Sequence, residues 1–521
     1  MNRKSIFSVV LALILMLACF ALAEGTEVAA VVEAAEETVV TFGDKVAKVN
    51  SAVNSFAWGP IMLVLLVGSG IYLTFRTGFL QVRKFGFIMK NTVGSLFTRK
   101  KDARDKDKKN LTPFQAVTTA LAGTVGTGNI AGVTGAIFVG GPGAVFWMWV
   151  SAFFGMCTKY AEIALAMKFR EKDKNGVYHG GPMYYITHGL GKNFKWLAVI
   201  FALLGALASF GIGNIAQSSE ISGAVVSLAD NASRAFTGKE FILNPLWVGI
   251  GLAIIVGIVV LGGAKRIGQV TSFVVPFMAI FYILAGISVI IIRIGDVPSA
   301  FAQIFKGAFS LKSIGGGIFG YVIMNAMRQG FARGVFSNEA GLGSAPIAHA
   351  ASSTEEPVEQ AMWGVFEVFI DTIIICSITA LTVILSGVLN TPGGLNDFAS
   401  KGAAAVKAFN TILPGNIGGT IIQISLIFFA LSTILSWGYY GATCMAYITK
   451  NNKIIDVIYK LAFTAFCIIG AIGSGTLMWD IADTLNGLMA LPNLIALVPL
   501  AGVVAKMTVD YFNKQKNPLA K

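Results

Sequence analysis

The stretch AGTVGTGNIAGVTG (122–135) and its later counterpart GVFSNEAGLGSAPIA (334–348) decide the fold of this 521-residue chain. Each lies in a long apolar segment, and each is the most glycine-interrupted stretch of its half of the sequence. Glycine lowers the cost of leaving helical geometry and lets a ligand approach the backbone. Unwound backbone within a bilayer is tolerated only where it lines a cavity or is buried in protein. The two stretches therefore predict two discontinuous membrane helices around a binding site.

The composition places these helices in a membrane. Hydrophobic residues make up 55% of the chain, charged residues only 13%, and the mean hydropathy is +0.71. Soluble proteins carry about 25% charged residues, so this chain has too little charge to cover a water-exposed surface of its size. The net charge of +13 could suggest nucleic acid. The lysines and arginines instead lie in short loops between apolar segments, which indicates membrane topology. We expect contact with membrane lipid and no nucleic-acid partner.

The basic loops predict the orientation of the chain. Residues 1–23 have the layout of a secretory signal peptide, which we expect to be cleaved; an uncleaved anchor helix is the alternative. An extracellular segment at 24–55 precedes the first span and its basic cytoplasmic loop at 56–112. The tail at 509–521 is then cytoplasmic, as expected for a multi-pass protein of a prokaryotic cell membrane. The further predicted spans are 113–139, 142–168, 194–227, 244–262, 268–293, 313–348, 361–388, 417–447, 456–474 and 484–508.

The two glycine-rich stretches occupy matching positions in two similar blocks, 113–293 and 313–508. The second segment comes five spans after the first, an odd number, so the two segments cross in opposite directions, as in inverted-topology repeats. Half-helix ends offer free N–H groups that suit a carboxylate and free carbonyls that suit a small cation. Such a pocket favours a zwitterionic amino acid together with Na⁺. Glycines that only permit close helix packing are the alternative.

Longer motifs extend the pattern along most of the chain. They are GTGNIAGV (126–133), GGPGAVFWMW (140–149), AFFGMCTKYAE (152–162), GGPMYY (180–185), FGIGN (210–214), RGVFSNEAGLGSAPIA (333–348) and ADTLNGLMALPNL (482–494). Together these motifs resemble the alanine or glycine:cation symporter family over 51–510. The resemblance implies an all-α membrane fold of eleven spans: a LeuT-type 5+5 inverted repeat with two discontinuous helices and one extra N-terminal span. It also implies inward transport of alanine or glycine coupled to Na⁺. The signal-like N-terminus is the main departure from the family.

The resemblance also implies a set of binding residues. For the substrate these are Thr124, Gly128, Gln217, Phe336, Ser337, Asn338, Glu339, Thr433 and Trp437. For the cation they are Ala122, Val125, Ser432 and Thr433. The Gln217 amide can meet an ammonium group with its oxygen. Phe336 and Trp437 are large enough to exclude a side chain longer than methyl, although ordinary bundle packing also explains them. The two neighbouring hydroxyls could instead bond back to the preceding helical turn.

Ionisable residues inside the spans form a second group of candidates, because burying them is costly and usually marks function or a paired partner. They are Asp371, Asp480, Asp483, Lys159 with Glu162, and Arg333 with Glu339. Lys159 and Glu162 are spaced i and i+3, which favours a structural ion pair. Asp371 fits either a helix-packing acid or a coupling element. Arg333 is expected to gate or brace the second break.

Secondary active symport by alternating access is the leading hypothesis for the function. The first alternative is an H⁺-coupled amino-acid symporter, and the second, less favoured one is a solute channel. The chain contains no HExxH, GxSxG or Walker A sequence, so an enzyme or an ATP-driven pump is not indicated. We expect no cofactor, with Na⁺ as the coupling ion.

Overall fold

The computed structural model describes residues 42–98, 109–174, 176–309, 318–398, 400–473 and 476–516. The predicted signal peptide, most of the segment predicted at 24–55 and the tip of the basic loop lie outside the described residues. The chain enters the described region in α1 (Phe42–Ala57), which is followed by α2 (Pro60–Arg76). Pro60 suits the first turn of α2, where its missing N–H has no helical partner. The short helices α3 (Leu80–Arg83), α4 (Phe85–Asn91) and α5 (Val93–Thr98) follow.

The first half of the remaining chain is helical apart from one two-stranded hairpin. Its helices are α6 (Pro113–Thr124), α7 (Ala131–Gly140), α8 (Gly143–Lys168), α9 (Pro182–Tyr185), α10 (Lys195–Phe210), α11 (Ala216–Thr237), α12 (Pro245–Leu261), α13 (Gly263–Ile292) and α14 (Val297–Phe309). In the hairpin, β1 (Glu171–Lys172) pairs antiparallel with β2 (Tyr178–His179), so that Glu171 lies opposite His179. The π-helical turn Gly211–Ile215 joins α10 to α11.

The second half follows a similar order. Its helices are α15 (Ile318–Asn338), α16 (Ala345–Ala350), α17 (Pro357–Val368), α18 (Ser377–Leu385), α19 (Lys401–Ile412), α20 (Ile417–Thr449), α21 (Lys453–Ile472), α22 (Thr476–Leu497) and α23 (Ala501–Lys516). The π-helical turn Phe369–Cys376 joins α17 to α18. Single π turns within helices often occur at functional sites.

Length and composition identify membrane spans among the described helices. Six are long and apolar enough to cross a bilayer, or eight if each of two bent pairs counts as one span. Apolar side chains on α12 and α13 are exposed, including Ile254 and Ile258 at 59% each and Phe273 at 76%. Such faces suit contact with lipid rather than water. The expected all-helical membrane architecture is confirmed, whereas the count of eleven spans stays a prediction.

The last predicted span, 484–508, differs from the structure. There α22 and α23 are separate helices that bend by 66° at the junction between them. Pro499 lies at this junction. A proline has no N–H for the helical hydrogen bond, and its ring clashes with the preceding turn. The apolar run continues through the proline, but the helix does not.

Two long helices organise the packing around the breaks. α8 packs against α15 and α17, and α20 packs against α10, α11 and α13. α2 rests on the outside of α8. Both breaks therefore lie in the interior, between these two groups of helices.

Candidate functional site

The first glycine-rich stretch is a break between two half-helices. α6 ends at Thr124, a single 3₁₀ turn covers Thr127–Asn129, and α7 starts at Ala131; the pair bends by 53°. The Asn129 side-chain oxygen accepts the Gly126 N–H at 2.9 Å, which satisfies one of the amides freed by the break. A Cβ at Gly126 would lie 2.5 Å from Thr433 Oγ1, so only glycine fits there without a shift.

The second stretch contains the other break. α15 ends at Asn338, and three residues before α16 adopt positive φ: Glu339 at 56°, Gly341 at 95° and Gly343 at 82°. Glycine adopts this conformation readily, whereas at Glu339 it is uncommon. The Glu339 carboxylate accepts the hydroxyl of Ser344 at 2.6 Å, which bridges the break.

Asp371 connects the two breaks. Its carboxylate accepts three hydrogen bonds: from the Asn129 amide at 2.6 Å, the Ser337 hydroxyl at 2.9 Å and the Thr372 hydroxyl at 2.8 Å. Asn338 in turn donates to the Thr372 hydroxyl at 3.1 Å. All five residues are buried. A carboxylate with two hydroxyl oxygens beside it offers the oxygen ligands that hard cations prefer.

Gln217 and Thr433 both contact the first break. The Thr127 hydroxyl donates to the Gln217 side-chain oxygen at 3.0 Å, while the Gln217 amide donates to the Ile212 carbonyl at 3.1 Å. The Thr433 hydroxyl donates to the Ala122 carbonyl at 3.0 Å. Both side chains are buried. The break is thus held by contacts from both α11 and α20.

The other residues proposed for substrate contact lie near the same place. The Phe336 ring covers Gly128, where an added Cβ would lie 3.2 Å from it. Trp437 packs on Gly213 in the first π turn, and its ring centroid is 5.7 Å from that of Tyr440. The Thr124 hydroxyl donates to a carbonyl of its own helix, 3.1 Å away.

Of the two hydroxyls proposed for the cation, only that of Thr433 contacts the first break. Thr433 reaches the first break, but the Ser432 hydroxyl donates to the Phe429 carbonyl at 2.9 Å and lies 3.4 Å from the Met278 sulfur. The N–H of Val125 donates to the carbonyl of Leu121 at 2.7 Å. In this conformation Ser432 therefore bonds within its own helix. The predicted set remains a proposal.

Buried charges hold the second break from the side of α8. The Lys159 ammonium donates to the Asn338 carbonyl at 2.8 Å and lies 3.8 Å from the Glu367 carboxylate. Glu367 also contacts His349, at 2.6 Å. Lys159, Glu367 and His349 are all fully buried. The carbonyl at the end of α15 thus faces a fixed positive charge.

Glu162 is linked to the same break by Asn493, a residue of α22. Its carboxylate accepts the Asn493 amide at 2.5 Å, and Asn493 also donates to the Gly341 carbonyl at 2.8 Å. The i, i+3 spacing predicted a pair between Lys159 and Glu162. In the structure each contacts its nearest polar partners on other helices, and both sets of contacts end on the second break.

Arg333 pairs across two helices rather than with Glu339. Its guanidinium lies 3.7 Å from Asp483 on α22 and 5.1 Å from the centre of the Phe336 ring. This contact places a charged bridge five residues before Asn338, where α15 ends. That Arg333 gates or braces the break stays a prediction.

The sequence does not predict several of these hydrogen-bond and ion-pair partners. Thr372, Glu367 and Asn493 are not among the predicted site residues, although each is a polar residue in an apolar helix. A polar residue within an apolar helix is the sequence feature that could have indicated a role at the site. Spacing along one helix could not indicate which distant helix each side chain would meet.

Comparison with known proteins supports the helical transporter architecture. A family model described as the sodium:alanine symporter family matches residues 43–521. The sodium/alanine symporter AgcS of Methanococcus maripaludis is 46% identical over 479 residues, covering 91% of this chain and 99% of the relative. Two further relatives come from Bacillus subtilis. The probable sodium/glutamine symporter GlnT is 37% identical, covering 89% of this chain and 90% of the relative. The putative sodium/proton-dependent alanine carrier protein YrbD is 36% identical, covering 90% of this chain and 93% of the relative.

The fold also matches a solved structure. MhsT in complex with L-phenylalanine aligns with a TM-score of 0.51 at 15% identity, covering 77% of this chain and 99% of that one. At this identity the likeness concerns the fold alone. It agrees with the LeuT-type arrangement that the family resemblance implies.

Proposed function

Because this chain belongs to the sodium:alanine symporter family, we propose that it carries alanine into the cell together with Na⁺ by alternating access. It is a membrane transporter and not an enzyme. The observation that carries the proposal is the meeting of both helix breaks at one buried carboxylate, that of Asp371. A cation bound there would contact groups from both halves of the transporter.

The broken helices supply the groups that a zwitterion needs. The start of α7 suits the substrate carboxylate, because the positive end of this half-helix dipole lies there. The Gln217 oxygen, already accepting the Thr127 hydroxyl, is a suitable acceptor for the ammonium group. Na⁺ takes oxygen ligands; besides the Asp371 carboxylate, the Ala122 carbonyl and the Thr433 hydroxyl, 3.0 Å apart, are candidates.

The bulky side chains of Phe336 and Trp437 favour a small substrate. Phe336 lies against Gly128 in the first break and Trp437 against Gly213 in the first π turn, so both aromatic rings approach the backbone closely. Each extra methylene that a pocket must reject is worth only ~1–3 kcal/mol, so glycine and alanine would be separated modestly. We propose alanine as the main substrate and glycine as a weaker one.

Uptake of labelled alanine into proteoliposomes is expected to require an inward Na⁺ gradient. Coupling by alternating access means that the loaded site must hold both Na⁺ and substrate before it reorients. The measurement compares an imposed Na⁺ gradient with a proton gradient in choline buffer and with no gradient. Equal uptake under the proton gradient alone would show that the protein is an H⁺-coupled symporter instead.

Replacing Gln217 with alanine is expected to raise the KM for alanine about tenfold, because one hydrogen bond to a charged group is worth ~1.5 kcal/mol. The initial rate of uptake as a function of alanine concentration measures this. Gln423→Ala is the matched control, since Gln423 is a buried amide of α20 that donates to Ser227 away from both breaks. An unchanged KM in Gln217→Ala would remove this residue from the substrate site.

A further inference from the structure

A groove opens between α2, the extra N-terminal span, and α15, the first half of the second broken helix. Its cavity volume is about 520 Å³, and we call it the α2–α15 groove. Val64, Gly68 and Ile71 line it on α2, and Met324, Arg328 and Phe331 line it on α15. Val64 is 69% exposed and Met324 60% exposed. In a membrane protein such apolar surface faces lipid chains.

Gly68 gives the groove its depth on the α2 side. A Cβ added there would meet no atom within 4 Å, so this glycine is not required by packing against a neighbouring helix. Other glycines of the same region do serve packing; a Cβ at Gly70 would lie 3.0 Å from Phe154 and Thr158. The space beside Gly68 is therefore available to a ligand rather than to the protein itself.

Arg328 is the charged residue of the groove. It is exposed, and among the described residues no carboxylate lies within ion-pair distance of it, in contrast to Arg333 and its partner Asp483. A charged side chain in a membrane segment is costly unless it is paired or reaches the headgroup region. An unpaired arginine in a membrane segment is stabilised by an anion from outside the chain.

The position of Arg328 along α15 indicates what that anion is. Arg328 precedes Glu339, the first residue of the break, by eleven positions, or roughly 16 Å along a helix. Discontinuous helices break near the bilayer midplane. Half of the hydrocarbon thickness is about 15 Å. The guanidinium thus lies at the depth of lipid phosphates, and the apolar part of the groove lies at the depth of acyl chains.

We propose that the α2–α15 groove binds one anionic glycerophospholipid, whose phosphate contacts Arg328 and whose acyl chain lies along α2 beside Gly68. Arginine pairs with phosphate through two parallel hydrogen bonds. A lipid with a net negative headgroup keeps this charge available, whereas the choline of a zwitterionic lipid competes for it. The site is separate from the substrate site and does not depend on the transport function.

Native mass spectrometry of the detergent-purified protein tests this site. The probes are phosphatidylglycerol and phosphatidylcholine with identical acyl chains, added in increasing ratio. The wild type is expected to retain one phosphatidylglycerol in preference to phosphatidylcholine. Arg328→Ala should weaken phosphatidylglycerol binding roughly tenfold, the effect of losing one charge-assisted contact.

Gly68→Leu tests the acyl-chain part of the same groove. The leucine should fill the space and lower binding of both lipids without unfolding the protein, because nothing lies within 4 Å of the new Cβ. Gly251→Leu on α12, where an added Cβ also meets nothing within 4 Å, is the matched control. Arg234→Ala, which removes a surface arginine paired with Asp230, is the control for Arg328.

Three results would overturn the proposal. The first is equal retention of the two lipids by the wild type. The second is wild-type phosphatidylglycerol binding in both Arg328→Ala and Gly68→Leu. The third is a lipid-free dimer that is lost in Gly68→Leu, which would make the groove an interface between two copies of this chain.

Discussion

Replacing Asp371 with asparagine is expected to reduce Na⁺-driven alanine uptake at least about a hundredfold, or ~2.8 kcal/mol at 1.4 kcal/mol per factor of ten. The carboxylate accepts hydrogen bonds from Asn129, Ser337 and Thr372 at 2.6–2.9 Å. Asparagine keeps the shape but has one acceptor oxygen and an NH₂ group, which would face one of these donors. The negative charge that offsets a bound cation is also lost. The initial rate of uptake into proteoliposomes under an imposed Na⁺ gradient measures the effect.

A matched control separates this effect from the loss of an acid in general. Asp230→Asn removes a carboxylate of α11 that pairs with Arg234 at 2.8 Å, and it should transport like the wild type. Both variants should elute as folded protein from size-exclusion chromatography. Near-normal uptake by folded Asp371→Asn would mean that Asp371 is a helix-packing acid, the alternative that the sequence left open.

Replacing Lys159 with methionine is expected to destabilise the protein by ~3–5 kcal/mol, the cost of removing one partner of a buried ion pair. Methionine fills similar space, but it leaves the Glu367 carboxylate without its ammonium partner at 3.8 Å. It also leaves the Asn338 carbonyl without its donor at 2.8 Å. We expect a lower apparent melting temperature in detergent and a loss of uptake, because this carbonyl ends the half-helix at the second break.

The double variant Lys159→Met/Glu367→Gln tests the assignment of the partner. It should recover much of the stability lost in Lys159→Met, because it removes the uncompensated charge; the two effects are then non-additive. Lys168→Met, at the exposed end of the same helix, should leave both the melting temperature and uptake unchanged. Additive losses in the double variant would show that Lys159 and Glu367 are not coupled.

Local features of the sequence predicted both breaks. In the first, Gly126 and Gly128 lie within the unwound turn, and in the second, Gly341 and Gly343 adopt positive φ. Glycine allows these conformations whatever the rest of the fold, so the signal can be read from a short stretch. The bend before α23 is also local in origin, because Pro499 cannot continue the helix, although the apolar run hid it.

The partners of the buried polar residues were not predictable in the same way. The spacing of Lys159 and Glu162 favours a pair within one helix, and the sequence suggests Glu339 as the partner of Arg333. In the structure Lys159 meets Asn338 and Glu367, and Arg333 meets Asp483. These contacts join positions about 150 to 210 residues apart in the sequence. Periodicity within a helix reports only neighbours three or four positions away.

By itself, the sequence determined that this is a helical membrane protein with two breaks in matching halves, because composition, glycine clusters and apolar runs act locally. Only the tertiary structure decided that Asp371 joins the two breaks and that Lys159 and Glu162 hold the second one. The physical reason is that a buried polar group must find its hydrogen-bond partner in three dimensions. Which helix supplies that partner depends on how the whole bundle packs.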